Sequence, residues 1–330
     1  MPQINGQEVG PVGFGLMGFT WRPQPCATEQ AIAVMKAALD LGCNFWNGGE
    51  FYGPPEYNSL VLLERYLAQH PDDADRVVLS VKGAGGPHGH QPDGSAAEIR
   101  RSLGRCLAQL QGRKRRIDVF ECARRDPRAD MRETFAAMHE FVDRGQLGGI
   151  ALSEVRAETI HQAVGLTSVV AVEVELSLWS TEVLTNGVAA ACAQYDIPLV
   201  AYSPLGRGML TGHIKSPDDI PADSMLKQSP RFRPENFHVN LELVRQVEAL
   251  ARKKGVTPAQ LAINWVRNLA KRPGMPRTII PIPGATTVER VRENAVLVDL
   301  SLDELDEIDA TLAKMEIRGA RYPAHVPTDT

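Results

Sequence analysis

A chain of 330 residues, 43 % hydrophobic and 23 % charged with a formal net charge of -4, has enough apolar content for a large folded core. The mild acidity, with no dominant basic surface, argues against nucleic acid as the main partner. The sequence has no signal-peptide pattern and no apolar run of membrane length. Its five scattered cysteines, Cys26, Cys43, Cys106, Cys122 and Cys192, read as reduced thiols, so no membrane partner and a cytoplasmic location are expected.

Residues 4–10 read as a small hairpin with a glycine turn, and 12–18 as a first strand with a glycine-rich end. Thr28 is expected to cap a helix through residue 41, with Ala31, Val34, Met35, Ala38 and Leu39 at helical spacing and Gly42 as its stop. A strand at 44–46 precedes a helix at 58–69 and a strand at 77–81. Ser95 caps a helix to residue 110, and a strand follows at 117–120. The helix at 131–144 stops at Gly145, before a strand at 148–152. Helix 155–164, strand 169–174, helix 182–195 and strand 197–201 come next.

Residues 205–240 hold Gly206, Gly208 and Gly212 among several prolines and predict a large loop over one end of the molecule. Helices at 241–254 and 258–269, a strand at 278–282, and helices at 288–294 and 302–315 complete the chain. The tail beyond Met315 is short and proline-containing, and could reach the same end. Eight such units with no shift of pattern predict one α/β domain over 1–330, a closed (β/α)8 barrel with an N-terminal hairpin, extra C-terminal helices and long loops at the C-terminal face.

Polar groups at strand ends mark where such barrels keep their chemistry. Tyr52 lies in the loop 47–57, broken by Gly48, Gly49, Gly53, Pro54 and Pro55, and Lys82 ends the next strand. An ammonium beside a phenol stabilises the phenolate and tunes it for proton transfer. His88 and His90 make an HxH pair without further ligands, a poor metal signal, and no metal is expected.

Four stretches carry a resemblance to the aldo-keto reductase family: GCNFWNGGEFYG, LSVKG, AYSPLGRGMLTG and PIPGATTVERVREN. They occur in the family's order along essentially the whole chain. The resemblance implies a nicotinamide-dependent reductase of aldehydes with Tyr52 and Lys82 as catalytic residues. It further implies cofactor contacts from Met17, Ser153, Glu173, Tyr202, Ser203, Leu205, Gly206, Arg207 and Gly208. In chemical terms, the Tyr202 ring can stack on a nicotinamide, while Ser203, Arg207 and the amides around Gly206 and Gly208 can meet a pyrophosphate. Gly284, Thr286 and Arg290 lead into a helix suited to a ribose phosphate, and by analogy Glu293 and Asn294 meet the adenine. NADPH is therefore expected over NADH, with Glu289 nearby to temper the preference.

Two departures stand out. Asn47 replaces the usual aspartate partner of the lysine, and Ala123 replaces a histidine. Asn47 is expected to hold Tyr52 and Lys82 by hydrogen bonding. Whether Lys82 is then less firmly protonated, or acts on Tyr52 with less competition, is open in the sequence. Asn47, Ala123 and Glu154 together resemble the family's pyridoxal-reducing branch, which implies reduction of pyridoxal to pyridoxine. Glu121, Glu50 or Arg124 could meet the charges of that ring, and Arg124 and Arg125 a phosphate. Reduction of other aldehydes or ketones, and a nicotinamide-binding regulatory subunit of the same fold, are the alternatives. Oligomeric state is not legible.

Overall fold

The computed structural model describes residues 1–85 and 91–328. His88 and His90 lie outside the described residues. The chain opens with an antiparallel hairpin, β1 (Gln3–Ile4) and β2 (Gln7–Glu8), turned at Asn5-Gly6, where both residues have positive φ. Asn-Gly suits that turn because neither residue meets a large steric penalty there.

Eight parallel strands follow: β3 (Phe14–Gly15), β4 (Phe45–Gly49), β5 (Val78–Gly83), β6 (Ile117–Cys122), β7 (Leu147–Ser153), β8 (Val169–Glu175), β9 (Leu199–Tyr202) and β10 (Ile279–Pro281). Each pairs with its neighbour in chain order. The two outer strands meet: the Gly13 amide donates to the Pro281 carbonyl at 2.9 Å and the Gly15 amide to Pro283 at 3.2 Å. A Cβ on Gly13 would lie 2.8 Å from the Phe45 carbonyl oxygen, so the seam closes only over glycine. The fold is a (β/α)8 barrel.

The helices are α1 (Met17–Thr20), α2 (Thr28–Asp40), α3 (Ser59–Gln69), α4 (Ala96–Gln109), α5 (Met131–Asp143), α6 (Ala157–Val164), α7 (Val188–Gln194), α8 (Pro234–Lys254), α9 (Pro258–Asn268), α10 (Val288–Asn294) and α11 (Leu302–Leu312). None among the described residues is long and apolar enough to cross a membrane.

Strand alternation divides the core in two. Trp46, Leu79, Phe120, Leu152, Val172 and Leu199 face the helices in one cluster. Phe45, Val78, Val119, Ala151, Ala171, Val200 and Ile280 form a separate inner cluster, with Ile4 and Val9 from the hairpin region. The hairpin is tied there by Asn5, whose amide donates to the Gly148 carbonyl at 2.8 Å. One end of the barrel is thus packed with apolar side chains, and polar ones two residues further along β4, β6, β7, β8 and β9 line the other.

Several elements differ from the sequence reading. Thr28 lies inside the first turn of α2; Ala27 is the cap residue and makes no side-chain cap. The helix expected at 182–195 splits into a 3-10 turn, Glu182–Leu184, and α7. Gly187 has φ 91°, and the Asn186 side chain accepts from the Val188 amide, so an Asn-Gly signal ends one segment and starts the next. The first strand shrinks to two residues before the single turn α1. Residues 205–240 form four 3-10 turns, and α8 begins at Pro234 instead of residue 241. Pro234 fits the first helical turn, where a missing amide proton costs nothing.

Candidate active site

The polar layer follows from alternation. Residues 45, 78, 119, 171 and 200 face inward, so Asn47, Lys82, Glu121, Glu173, Glu175 and Tyr202 do as well. Lys82 lies in register with Glu121 on β6, and Glu173 with Ser153 on β7. Asn47, Lys82, Glu121, Glu173 and Tyr52 are all at most 7 % exposed, so their charges act through a dry interior.

Lys82 donates to Glu173 Oε1 and lies 3.2 Å from Glu121 Oε1. Asn47 Nδ2 donates to the other oxygen of Glu173 at 2.7 Å. Asn47 therefore acts on Glu173 and, through it, on Lys82; this bond does not join Tyr52 to Lys82. The carboxylate that pairs with the lysine comes from β8 in this chain, four barrel strands beyond β4. Burial disfavours the Lys82 ammonium, yet Glu121 and Glu173 outweigh it and raise its pKa above the ordinary value. Glu121 is raised well above the carboxylate range by burial and then by Glu173, against the pull of Lys82.

Tyr52 is held on three sides. Its ring stacks on Trp21 with centroids 5.4 Å apart, and Phe51 meets it edge-on at 5.2 Å. Its carbonyl accepts from the Thr20 hydroxyl at 2.5 Å. A Cβ on Gly49 would lie 3.0–3.2 Å from three atoms of the ring, so the bare backbone of β4 lets the phenol settle against it. Burial pushes the phenol up to about 12, with Lys82 pulling down and Glu173 and Glu121 pushing further up.

The remaining residues singled out in the sequence divide by position. Ser153 is buried, and its hydroxyl has no hydrogen-bond partner among the described residues. Tyr202 donates to Glu154 Oε1 at 2.8 Å, and its ring lies 5.5 Å from the Lys82 nitrogen. Ser203, Leu205, Gly206, Arg207 and Gly208 follow β9, and Ser203, Gly206, Arg207 and Gly208 have positive φ. For serine and arginine this conformation costs roughly 1–3 kcal/mol each, a strain that collects at functional loops. Gly284 and Thr286 lead into α10, which carries an exposed Arg290, a half-buried Glu293 and a buried Asn294. Met17 is exposed in α1.

Glu50 turns away from the cavity: it accepts from Ser102 Oγ at 2.8 Å and pairs with Arg101 at 3.1 Å. Arg125 lines a small cavity between the sheet and α5, with Met131 and Phe135. Arg124 lies at the mouth; its Nε donates to the Pro327 carbonyl at 2.7 Å, and its guanidinium sits 5.6 Å from the Tyr322 ring.

The tail brings two residues that the sequence reading did not name. Tyr322 and Tyr202 share a hydroxyl–hydroxyl bond of 2.8 Å, and the Arg207 guanidinium lies 4.4 Å from the Tyr322 ring centre. Arg321 pairs with Glu154 at 3.1 Å and with Glu175 at 3.4 Å. Glu175 was legible, since it repeats the inward face of Glu173 two residues on; Arg321, Tyr322 and Trp21 come from irregular segments with no period to follow.

The barrel is closed at one end by apolar side chains, and a buried phenol, an ammonium and two carboxyl groups, all titratable, face its other end. The chain belongs to the Aldo/keto reductase family, whose profile it matches over residues 11–313. It is 41 % identical to a Schizosaccharomyces pombe (strain 972 / ATCC 24843) protein named "Probable pyridoxal reductase 2", over 98 % of this chain and 97 % of that one. The aldo-keto reductase yakc of the same yeast, whose name carries the qualifier NADP(+), is 34 % identical over 97 % of this chain and 94 % of its own. Among solved structures, a glycerol dehydrogenase from Gluconobacter oxydans superposes with a TM-score of 0.82 over 96 % of both chains at 20 % identity, a likeness of fold alone.

Proposed function

We propose that this chain reduces an aldehyde to its alcohol with NADPH, that pyridoxal, giving pyridoxine, is the substrate, and that Tyr52 is the proton donor. The observation that carries this reading is the dry setting of Tyr52, stacked on Trp21 and within the field of Lys82. A phenol pushed up to about 12 is fully protonated at neutral pH, so it is ready to protonate a carbonyl oxygen as charge develops there. The ammonium of Lys82 keeps the resulting phenolate attainable.

The nicotinamide, when bound, supplies the hydride. The unsatisfied hydroxyl of Ser153 fits a carboxamide, since a buried polar atom normally has a partner. Tyr202 offers a ring face, and Ser203, Leu205, Gly206, Arg207 and Gly208 a polar loop for the pyrophosphate. Gly284, Thr286, Arg290, Glu293 and Asn294 offer the adenosine-phosphate end, with Met17 alongside. Arg290 supports NADPH over NADH because a guanidinium forks onto a phosphate. The names of the two yeast relatives support the same cofactor and the same substrate. Ala123 leaves room beside the carbonyl position, and Arg124 is a cation at the mouth for the phenolate of pyridoxal.

The test is Tyr52→Phe with pyridoxal and NADPH. Reduction is expected to fall by about 10²–10⁴-fold while the cofactor dissociation constant is little changed. Unchanged turnover removes Tyr52 from the mechanism. A panel comparing kcat/KM for pyridoxal with simple aromatic aldehydes tests the substrate, and a preference for the latter refutes that part.

A further inference from the structure

Around Lys82 the polar layer holds one cation for two carboxyl groups, whereas Glu154 and Glu175 pair with Arg321 and Arg207. Lys82 is shared by two fully buried carboxyl groups, Glu173 and Glu121, in a layer sealed from below by apolar side chains. Two bare negative charges on one ammonium in a dry cavity are costly, and such a cluster takes up a proton. The hydrogen bonds decide which carboxyl carries it. Glu173 has donors on both oxygens, Lys82 on one and Asn47 on the other. Glu121 has the 3.2 Å approach of Lys82 and the Glu173 carboxyl beside it, and neither of its oxygens accepts a hydrogen bond from a donor among the described residues. Donors favour the charged form, so the charge belongs to Glu173 and the proton to Glu121.

We propose that Glu121 is a neutral carboxylic acid in the resting protein and the proton store that recharges Tyr52 through Lys82 after each reduction. This rests on Tyr52 being the proton donor. The balance is simple. Tyr52 gives its proton to the substrate oxygen and becomes phenolate, and the Lys82 ammonium returns a proton to that phenolate. The Glu121 carboxyl then gives its proton to the Lys82 amine. Glu121 is left as carboxylate beside an ammonium and regains its proton from water before the next cycle. No electrons move in this sequence. The groups whose charge bears on Glu121 are Lys82 on β5, Glu173 on β8, Tyr52 in the loop after β4 and Cys122 on its own strand. Glu121 thus acts through another residue and is a positioning residue for the proton.

Two measurements test this. The first is the infrared band of a protonated carboxyl in the resting protein, with no substrate added. It is expected in the unmodified chain, lost in Glu121→Gln, and lost in Glu173→Gln, where Glu121 becomes the sole partner of Lys82 and ionises. Absence of the band from the unmodified chain overturns the proposal, and this reading needs neither activity nor a folded Glu121 variant. The second compares the first turnover with the steady state in Glu121→Gln. The first turnover uses the proton already on Tyr52 and is expected within about twofold of normal, whereas the steady-state rate falls about tenfold, more steeply at high pH. Glu121→Asp should restore it. Equal slowing of both phases, or of neither, overturns the proposal. If no aldehyde is reduced by the unmodified chain while the band behaves as described, the proton store stands and the assigned reaction fails.

Discussion

Exchanging the amide and the carboxylate between positions 47 and 173 probes where the lysine finds its counter-charge. Asn47→Asp removes the donor to Glu173 and sets two carboxylates at the present 2.7 Å contact. At an effective dielectric of 20 their repulsion is roughly 6 kcal/mol. Proton uptake caps the loss, because protonating a carboxyl with pKa near 4 at pH 7 costs about 4 kcal/mol. Glu173→Gln alone breaks a buried ion pair, worth about 3–5 kcal/mol, towards the low end because Glu121 remains 3.2 Å from Lys82. The double variant again has one carboxylate and one amide in contact, with donor and acceptor reversed. It should be more stable than the sum of the single changes predicts, by at least about 2 kcal/mol. Urea unfolding at pH 7, followed by circular dichroism for all four proteins, gives the coupling, and kcat/KM for pyridoxal should recover in parallel. Additivity within about 0.5 kcal/mol would refute the argument that Glu173 has taken over the counter-charge through its contact with residue 47.

Other outcomes follow from the same geometry. Gly49→Ala puts a methyl 3.0–3.2 Å from the Tyr52 ring, so kcat should fall by about tenfold while the unfolding midpoint moves little; normal kcat means the ring is free to shift. Tyr52 is pushed up to about 12, so kcat/KM for reduction should show no loss from phenol ionisation up to about pH 10, and a descending limb in that range that Tyr52→Phe abolishes would contradict the assignment. Glu154 is held below the usual carboxylate range: burial pushes it up, and Arg321 and Arg124 outweigh burial. A depressed folded pKa stabilises above the unfolded value of about 4.3, and that contribution disappears as pH falls through the folded value. The gap in unfolding midpoint between the unmodified chain and Arg321→Met should therefore be wide at pH 7 and close in acid; a gap independent of pH means the tail is held by packing alone.

Much of this architecture is written in local pattern. Short apolar strands alternating with helical faces imply parallel pairing with helices outside, and eight of them are enough to close the sheet. The same period of two carries Asn47, Lys82, Glu173 and Tyr202 into one cavity, because each follows an inward apolar residue by two or four positions. Backbone conformation at turns is local too, although the Asn186-Gly187 break was hidden within an otherwise helical run of alanines.

What the pattern could not decide is which of these groups touch. Asn47 reads as a partner of Lys82, yet its amide reaches Glu173, a residue 126 positions away. Glu50 and Glu121 read alike as carboxylates near strand ends, but strand phase sends Glu50 outward to Arg101 and Glu121 inward to Lys82. Arg321 and Tyr322 lie in a tail without periodicity, and only folding brings them onto Glu154 and Tyr202. Sequence sets the face on which a side chain emerges because that depends on one chain's own geometry. Charge partners depend on barrel closure, which brings distant strands within a few ångströms.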